Sequence, residues 1–129
     1  MSEANEKICS CTNDEIKLIF ACSGGADVGH LSDAAARQMM ADGCGKMFCL
    51  AGIGGKVPGI LKTTEDSDII LAIDGCPVDC AKKSLELAGF NDFKHFRVTD
   101  TGFEKGKTVV DQTSITLVSE HGKQILSGT

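Results

Sequence analysis

The sequence predicts an α/β fold. The expected form is a small three-layer sandwich with a mainly parallel, roughly four-stranded, Rossmann-like sheet and helices on both faces. Three observations carry this. Short apolar runs alternate with segments of helical spacing, and strand–helix alternation is the signature of a parallel sheet covered by helices. The apolar runs are short and bounded by glycine or polar turns, as buried strands are. At 129 residues, 42% of them hydrophobic, the chain can bury one core without covalent staples.

Taken in order, residues 1–14 read as a polar tail carrying Cys9 and Cys11, and residues 15–129 as a single α/β domain. The run IKLIFAC (16–22) predicts the first strand, and SGG the turn after it. In ADVGHLSDAAARQMMADG, Val28, Leu31, Ala35 and Met39 fall near helical spacing, Met39 and Met40 read as core filler, and Gly43 stands where a helix C-terminus favours glycine. KMFCLA (46–51) predicts a second strand, GIGGKVPGILKTTEDS a glycine turn and a short helix, and DIILAI (68–73) a third strand. PVDCAKKSLELAG predicts a helix with Pro77 at its first position. Val78, Ala81, Leu85 and Ala88 would line one face, with Gly89 at the end. DFKHFRV (92–98) predicts a fourth strand. With right-handed crossovers, the expected strand order is 2-1-3-4. The tail TVVDQTSITLVSEHGKQIL has the β-branched content of a hairpin. Val110, Ser114, Val118 and Ile125 also suit a helix covering the sheet, which is the expectation adopted.

Composition removes several classes of function. The net charge is −5 and there is no basic block, so nucleic acid is not an expected partner. No apolar run reaches the roughly 20 residues that span a bilayer, so no membrane is expected. The polar, acidic start does not resemble a signal peptide, and a cytoplasmic location follows as the expectation. Thiols are kept reduced there. Seven cysteines, an odd number, then point to metal binding or thiol chemistry rather than a disulfide scaffold.

Placed on the predicted elements, the cysteines are not scattered. Cys22 closes strand 1, Cys49 lies near the end of strand 2, Cys76 just past strand 3, and Cys80 one turn into the next helix. In a parallel sheet all C-terminal strand ends share one edge, with neighbouring strands about 4.8 Å apart, and open α/β sheets hold ligands there. Cys44 belongs to the opposite edge, a strand length of about 17 Å away, and is excluded. Four convergent thiolates suit Zn²⁺, and thiolate softness also admits an iron–sulfur cluster or Cu(I). The helix N-terminus, with Cys76 as its cap, would favour thiolate at Cys76 and Cys80, and Gly75 would permit a tight turn. Asp74 and Asp79 flank the pair as groups behind the ligands or proton carriers, although Asp79 at a helix start also suits the dipole. Cys9 and Cys11 form an auxiliary pair that would exchange metal or electrons with the main site, and the site itself, open to solvent on one side, suits metal or thiol exchange with a protein partner. His30 reads first as a surface or packing histidine.

Two other chemistries compete. Cys22, between a glycine turn and a helix N-terminus, would be the nucleophile of a sulfur-transfer or thiol-redox enzyme, its pKa depressed by that helix end. An iron–sulfur redox module is the third reading. CSGGADVG lacks the Gly-Lys-Ser/Thr of a P-loop and the arginine of a cysteine-phosphatase loop, and GIGGKVPG lacks dinucleotide-fingerprint spacing.

LIFACSGGADVGHLSDAAARQM, MFCLAGIGG and IDGCPVDCAKKSLELAG resemble the DGC-motif (DGC domain) family of zinc-binding proteins, over about residues 16–102. The resemblance includes the Asp74-Gly75-Cys76 tripeptide itself. It implies zinc held by four cysteines, at Cys22, Cys49, Cys76 and Cys80 here, and implies no particular reaction.

Overall fold

The structure, a computed structural model, describes residues 15–128. Four strands form the sheet: β1 (Lys17–Ala21), β2 (Lys46–Met47), β3 (Ile69–Asp74) and β4 (Lys94–Arg97). The helices are α1 (Asp27–Ala41), α2 (Leu50–Gly54), α3 (Pro58–Asp66), α4 (Cys80–Leu87) and α5 (Gln112–Leu126), and a 3₁₀ turn spans Val98–Thr101. The order across the sheet is β2-β1-β3-β4, and every pairing is parallel. Both the expected order and the α/β three-layer arrangement are therefore present.

The layers follow from the two-residue period of the strands. Ile19 and Ala21 of β1 and Leu71 and Ile73 of β3 pack with Val28, Leu31, Ala35 and Met39 of α1 and Val118 and Leu126 of α5. Leu18, Phe20, Ile70 and Ala72 face the other way, against Ile53, Ala81 and Leu85. A sheet buried on both faces needs apolar residues at every position of its central strands. The uninterrupted LIFA and IILAI runs supply them.

The C-terminal tail is the helix α5. Asp111 accepts from Ser114 N while Ser114 Oγ accepts from Asp111 N, a capping box that satisfies otherwise orphaned amides. α5 lies close on α1: a Cβ at Gly122 would stand 2.7 Å from Met39 Sδ. Lys123 Nζ reaches Asp42 Oδ2 at 2.7 Å, beside Gly43, whose φ of 81° ends α1 as expected. Met40, by contrast, is a surface residue, 41% exposed.

Three stretches depart from the sequence expectation, the first being the glycine turn expected at GIGG, where Gly52 to Gly54 are instead part of the helix α2. The second strand has two residues, not the run 46–51. Phe48 N still bonds Ile19 O at 2.8 Å, but Cys49 is already the N-cap of α2. The FCLA run is apolar because Phe48 and Leu50 pack on the β1 core face, and periodicity cannot tell a short buried strand from a short buried helix. The helix after β3 starts at Cys80, three residues later than expected, so Pro77 is not its first residue and Cys76 is not its cap. Residues Cys76–Asp79 instead form a turn closed by Asp79 N to Cys76 O at 3.1 Å, with Pro77 at the second position that its fixed φ favours. Val78 is consequently outside the helix and 54% exposed.

Gly75 is required for closeness rather than for a special φ. A Cβ there would meet Gly29 N and Val28 C at 2.8 Å, where the end of β3 touches the first turn of α1. Gly75→Ala is expected to lose about 1–3 kcal/mol, the usual cost of overpacking, in urea unfolding. Gly24→Ala, with nothing within 4 Å, is expected to stay close to wild type in the same measurement.

Candidate functional site

The C-terminal edge of the sheet assembles the chemistry. β1 ends at Ala21, and Cys22 N continues the ladder to Ile73 O at 2.9 Å. Ser32 Oγ of α1 donates to Cys22 O and, at 2.9 Å, to Gly29 O, fixing Cys22 against α1. Cys76 leaves β3 through Gly75, and Cys80 opens α4. Cys22, Cys76 and Cys80 line one cavity of about 190 Å³, together with Ser23, Gly24, Gly25 and Gly75. Cys49 lines the adjoining groove beside Ser23, Arg37 and Leu50. All four are free thiols, with Cys22 and Cys76 half-buried and Cys49 and Cys80 exposed. Cys44 is fully buried and precedes β2, at the other edge. His30 is exposed on α1 and does not line the cavity. Cys9 and Cys11 lie outside the described residues.

The Cys22 thiol is pushed up from its ordinary pKa, not down as a helix N-terminus would make it. Burial is the largest cause, and the nearby Cys80 and Asp74 add to it against a lowering hydrogen bond from the Gly75 backbone.

Behind the cavity stands a buried ionic network that the sequence reading assigned only in part. Asp74, 0% exposed, ends the central strand β3. Its Oδ1 accepts from Ala81 N at 2.7 Å and its Oδ2 from Lys82 N at 3.1 Å. Asp74 therefore caps α4 from seven residues upstream, and this bond, rather than Pro77, sets where the helix begins. His95 Nε2 lies 2.9 Å from Asp74 Oδ2 and 3.7 Å from Asp79 Oδ1. Arg97 grips Asp79 through two bonds of 2.7 Å, which hold the Asp79 carboxyl below its ordinary pKa. Asp79, the N-cap of α4, adopts a left-handed conformation (φ 59°, ψ 47°) with no side-chain cap bond. That backbone is uncommon outside glycine, although Asp tolerates it better than most, and the Arg97 fork holds it in place.

His95 and Arg97 were missed in the sequence. Their signal is the alternation in KHFRV: Phe96 enters the α1/α5 core while His95 and Arg97 point to the α4 side, where register places Arg97 opposite Asp74. Among the described residues, the potential ligand atoms of Asp74, Asp79 and His95 lie within 4.8 Å of one another. Arg97 already supplies the cation to this group, and two backbone amides fill Asp74, so it reads as an internal support rather than a metal cradle. No three thiols close to 4.8 Å among the described residues. A metal would have to draw them inward.

The segment between the 3₁₀ turn and α5 also reaches the site. Asp27 accepts from Gly106 N at 2.9 Å and Thr108 N at 2.9 Å, and Lys105 Nζ lies 3.7 Å from Cys76 Sγ.

Two expectations follow. Asp74→Ala should cost about 2 kcal/mol in denaturant unfolding, combining a lost cap with stranded buried partners. The amides bonded to Asp27 hold its carboxyl below the ordinary 3.8, so these bonds are intact above that pH and are lost as pH falls through the depressed value. The Gly106 and Thr108 amide resonances should titrate together below pH 3.8, and Asp27→Asn should abolish that titration.

The DGC domain family model matches residues 18–121, which extends past the three cysteine segments to include β4, the Lys105 segment and most of α5. The chain is 32% identical over 93 residues to the "Anaerobic and virulence modulator AnvM" of Pseudomonas aeruginosa, covering 72% of this chain and 71% of that protein. No solved structure matches the chain. Among the described residues no helix is long and apolar enough to cross a membrane. With the family model spanning most of its length and all three cysteine segments inside the match, the chain belongs to the DGC domain family.

Proposed function

We propose that this protein binds a soft metal ion, zinc, through cysteine thiolates at the C-terminal edge of the sheet. The observation that supports the reading is the cavity shared by Cys22, Cys76 and Cys80, three free thiols from two strand ends and a helix start. Cys49 in the adjoining groove is the fourth ligand. The donor set fits the metal: thiolate sulfur favours Zn²⁺, and four such ligands form a closed tetrahedral site. Burial first, and then the nearby Cys80 and Asp74, raise the Cys22 pKa, and a bound cation would offset both by compensating the thiolate charge. Zinc binding should therefore release protons.

The four ligands are not equivalent. Cys22 and Cys80 sit within reach of each other's charge, and Asp74 and Arg97 fix the helix start that carries Cys80. Cys49 is exposed at the tip of a five-residue helix and is the ligand by which metal would enter or pass to a protein partner. Thiolate ligation requires reduced sulfur. A relative named as an anaerobic modulator fits a protein of this kind.

Elemental analysis and zinc titration of reduced protein test the proposal. The expected result is one zinc per chain, no visible colour, and about two protons or more released per metal. Cys22→Ser and Cys80→Ser should weaken binding by at least tenfold, and Cys49→Ser by less. A brown anaerobic sample would point to an iron–sulfur cluster, and no retained metal of any kind would end the reading.

A further inference from the structure

Residues 102–110 have no regular structure, yet their path is fixed at one point. Asp27, the first residue of α1, takes Gly106 N on both oxygens, at 3.0 and 2.9 Å, and Thr108 N at 2.9 Å. The turn is also closed on itself: Glu104 O accepts from Lys107 N at 3.0 Å and from Thr108 Oγ1 at 2.8 Å, and Gly106 supplies the left-handed φ of 90°. This latch determines where the two lysines of the turn go. Lys107 pairs with Glu104 at 3.8 Å. Lys105 has no carboxylate partner among the described residues. Its ammonium lines the thiol cavity, 3.7 Å from Cys76 Sγ.

We infer that Lys105 is a positioning and charge-balancing residue of the metal site, held against Cys76 by the Asp27 latch. The inference rests on the metal-binding reading above and adds to it a residue remote from every cysteine in sequence. A divalent ion with four thiolates carries a net charge of −2, and Asp74 adds a further negative group behind it. An ammonium donating to a ligand sulfur offsets that charge and holds the Cys76 side chain toward the cavity. Groups hydrogen-bonded to metal ligands typically account for 10–100-fold in metal affinity. Lys105 is exposed at the cavity mouth, so its contribution belongs at the lower end. The Gly102–Val110 segment thereby becomes part of the site rather than a connection to α5.

The test is competition between the zinc-loaded full chain and a chromophoric chelator, at fixed pH and salt. Lys105→Met should lower zinc affinity about tenfold and speed chelator-driven release. Lys105→Arg should restore most of the affinity. Asp27→Ala should match Lys105→Met, and the double variant should be no weaker than either single one, because latch and lysine act in series. The melting temperature of metal-free Lys105→Met should equal that of metal-free wild type, which separates a role at the metal from a role in folding. Wild-type affinity in Lys105→Met overturns the inference while leaving the metal reading intact, as does additivity in the double variant. A wild-type protein that binds no zinc removes both.

Discussion

Asp74 is a fully buried carboxylate at the end of the central strand, and the arrangement of the site depends on how that charge is satisfied. An isolated ionised carboxylate in such a place is costly. Asp74 offsets the cost with two amides from the first turn of α4 and the ring of His95. The amides can reach it only if the chain loops out through residues 75–79 and turns into helix at Cys80. One hydrogen-bonding requirement thus fixes the length of the loop, the start of α4, the position of Cys80 and the outward turn that presents Cys76. Gly75 completes the constraint from the other side, since nothing larger fits between the end of β3 and α1.

Charge at this edge is distributed in a consistent way. Each acid there is matched by a specific donor: Asp74 by amides and His95, Asp79 by Arg97, Asp27 by Gly106 and Thr108. Lys105, which has no carboxylate partner among the described residues, places its ammonium 3.7 Å from Cys76 Sγ. The carboxylates are therefore committed to the scaffold, and the sulfurs are the groups left available for chemistry. Asp74 and Asp79 sit next to the cysteines with their oxygens already taken by these donors. They hold the backbone from which the cysteines project, in a region where Asp79 keeps a left-handed backbone that Arg97 steadies.

Strand and helix periodicity was legible wherever an element was long or buried on both faces. LIFA and IILAI suited buried central strands, and the apolar spacing from Val28 to Met39 suited a helix on one face of them. The helix of the tail was readable from Val118 and its neighbours, although its β-branched residues pointed elsewhere. The errors fall on short segments. KMFCLA became two residues of strand and then a helix, because an apolar run that brief satisfies either period. PVDCAKK gave a false helix start, because proline favours the second position of a turn as well as the first position of a helix, and local sequence does not choose between them.

By itself, the sequence determined the α/β class and the strand order, and because parallel strands leave every C-terminal end on the same side, it also pointed to the edge where Cys22, Cys76 and Cys80 line one cavity. Tertiary structure decided the rest. The grouping of three thiols in one cavity with Cys49 beside it, the capping of α4 by Asp74, and the arrival of His95, Arg97 and Lys105 are contacts between residues far apart in the chain. No local pattern encodes them, because each is set by strand register and by where a distant carboxylate finds its hydrogen-bond donors.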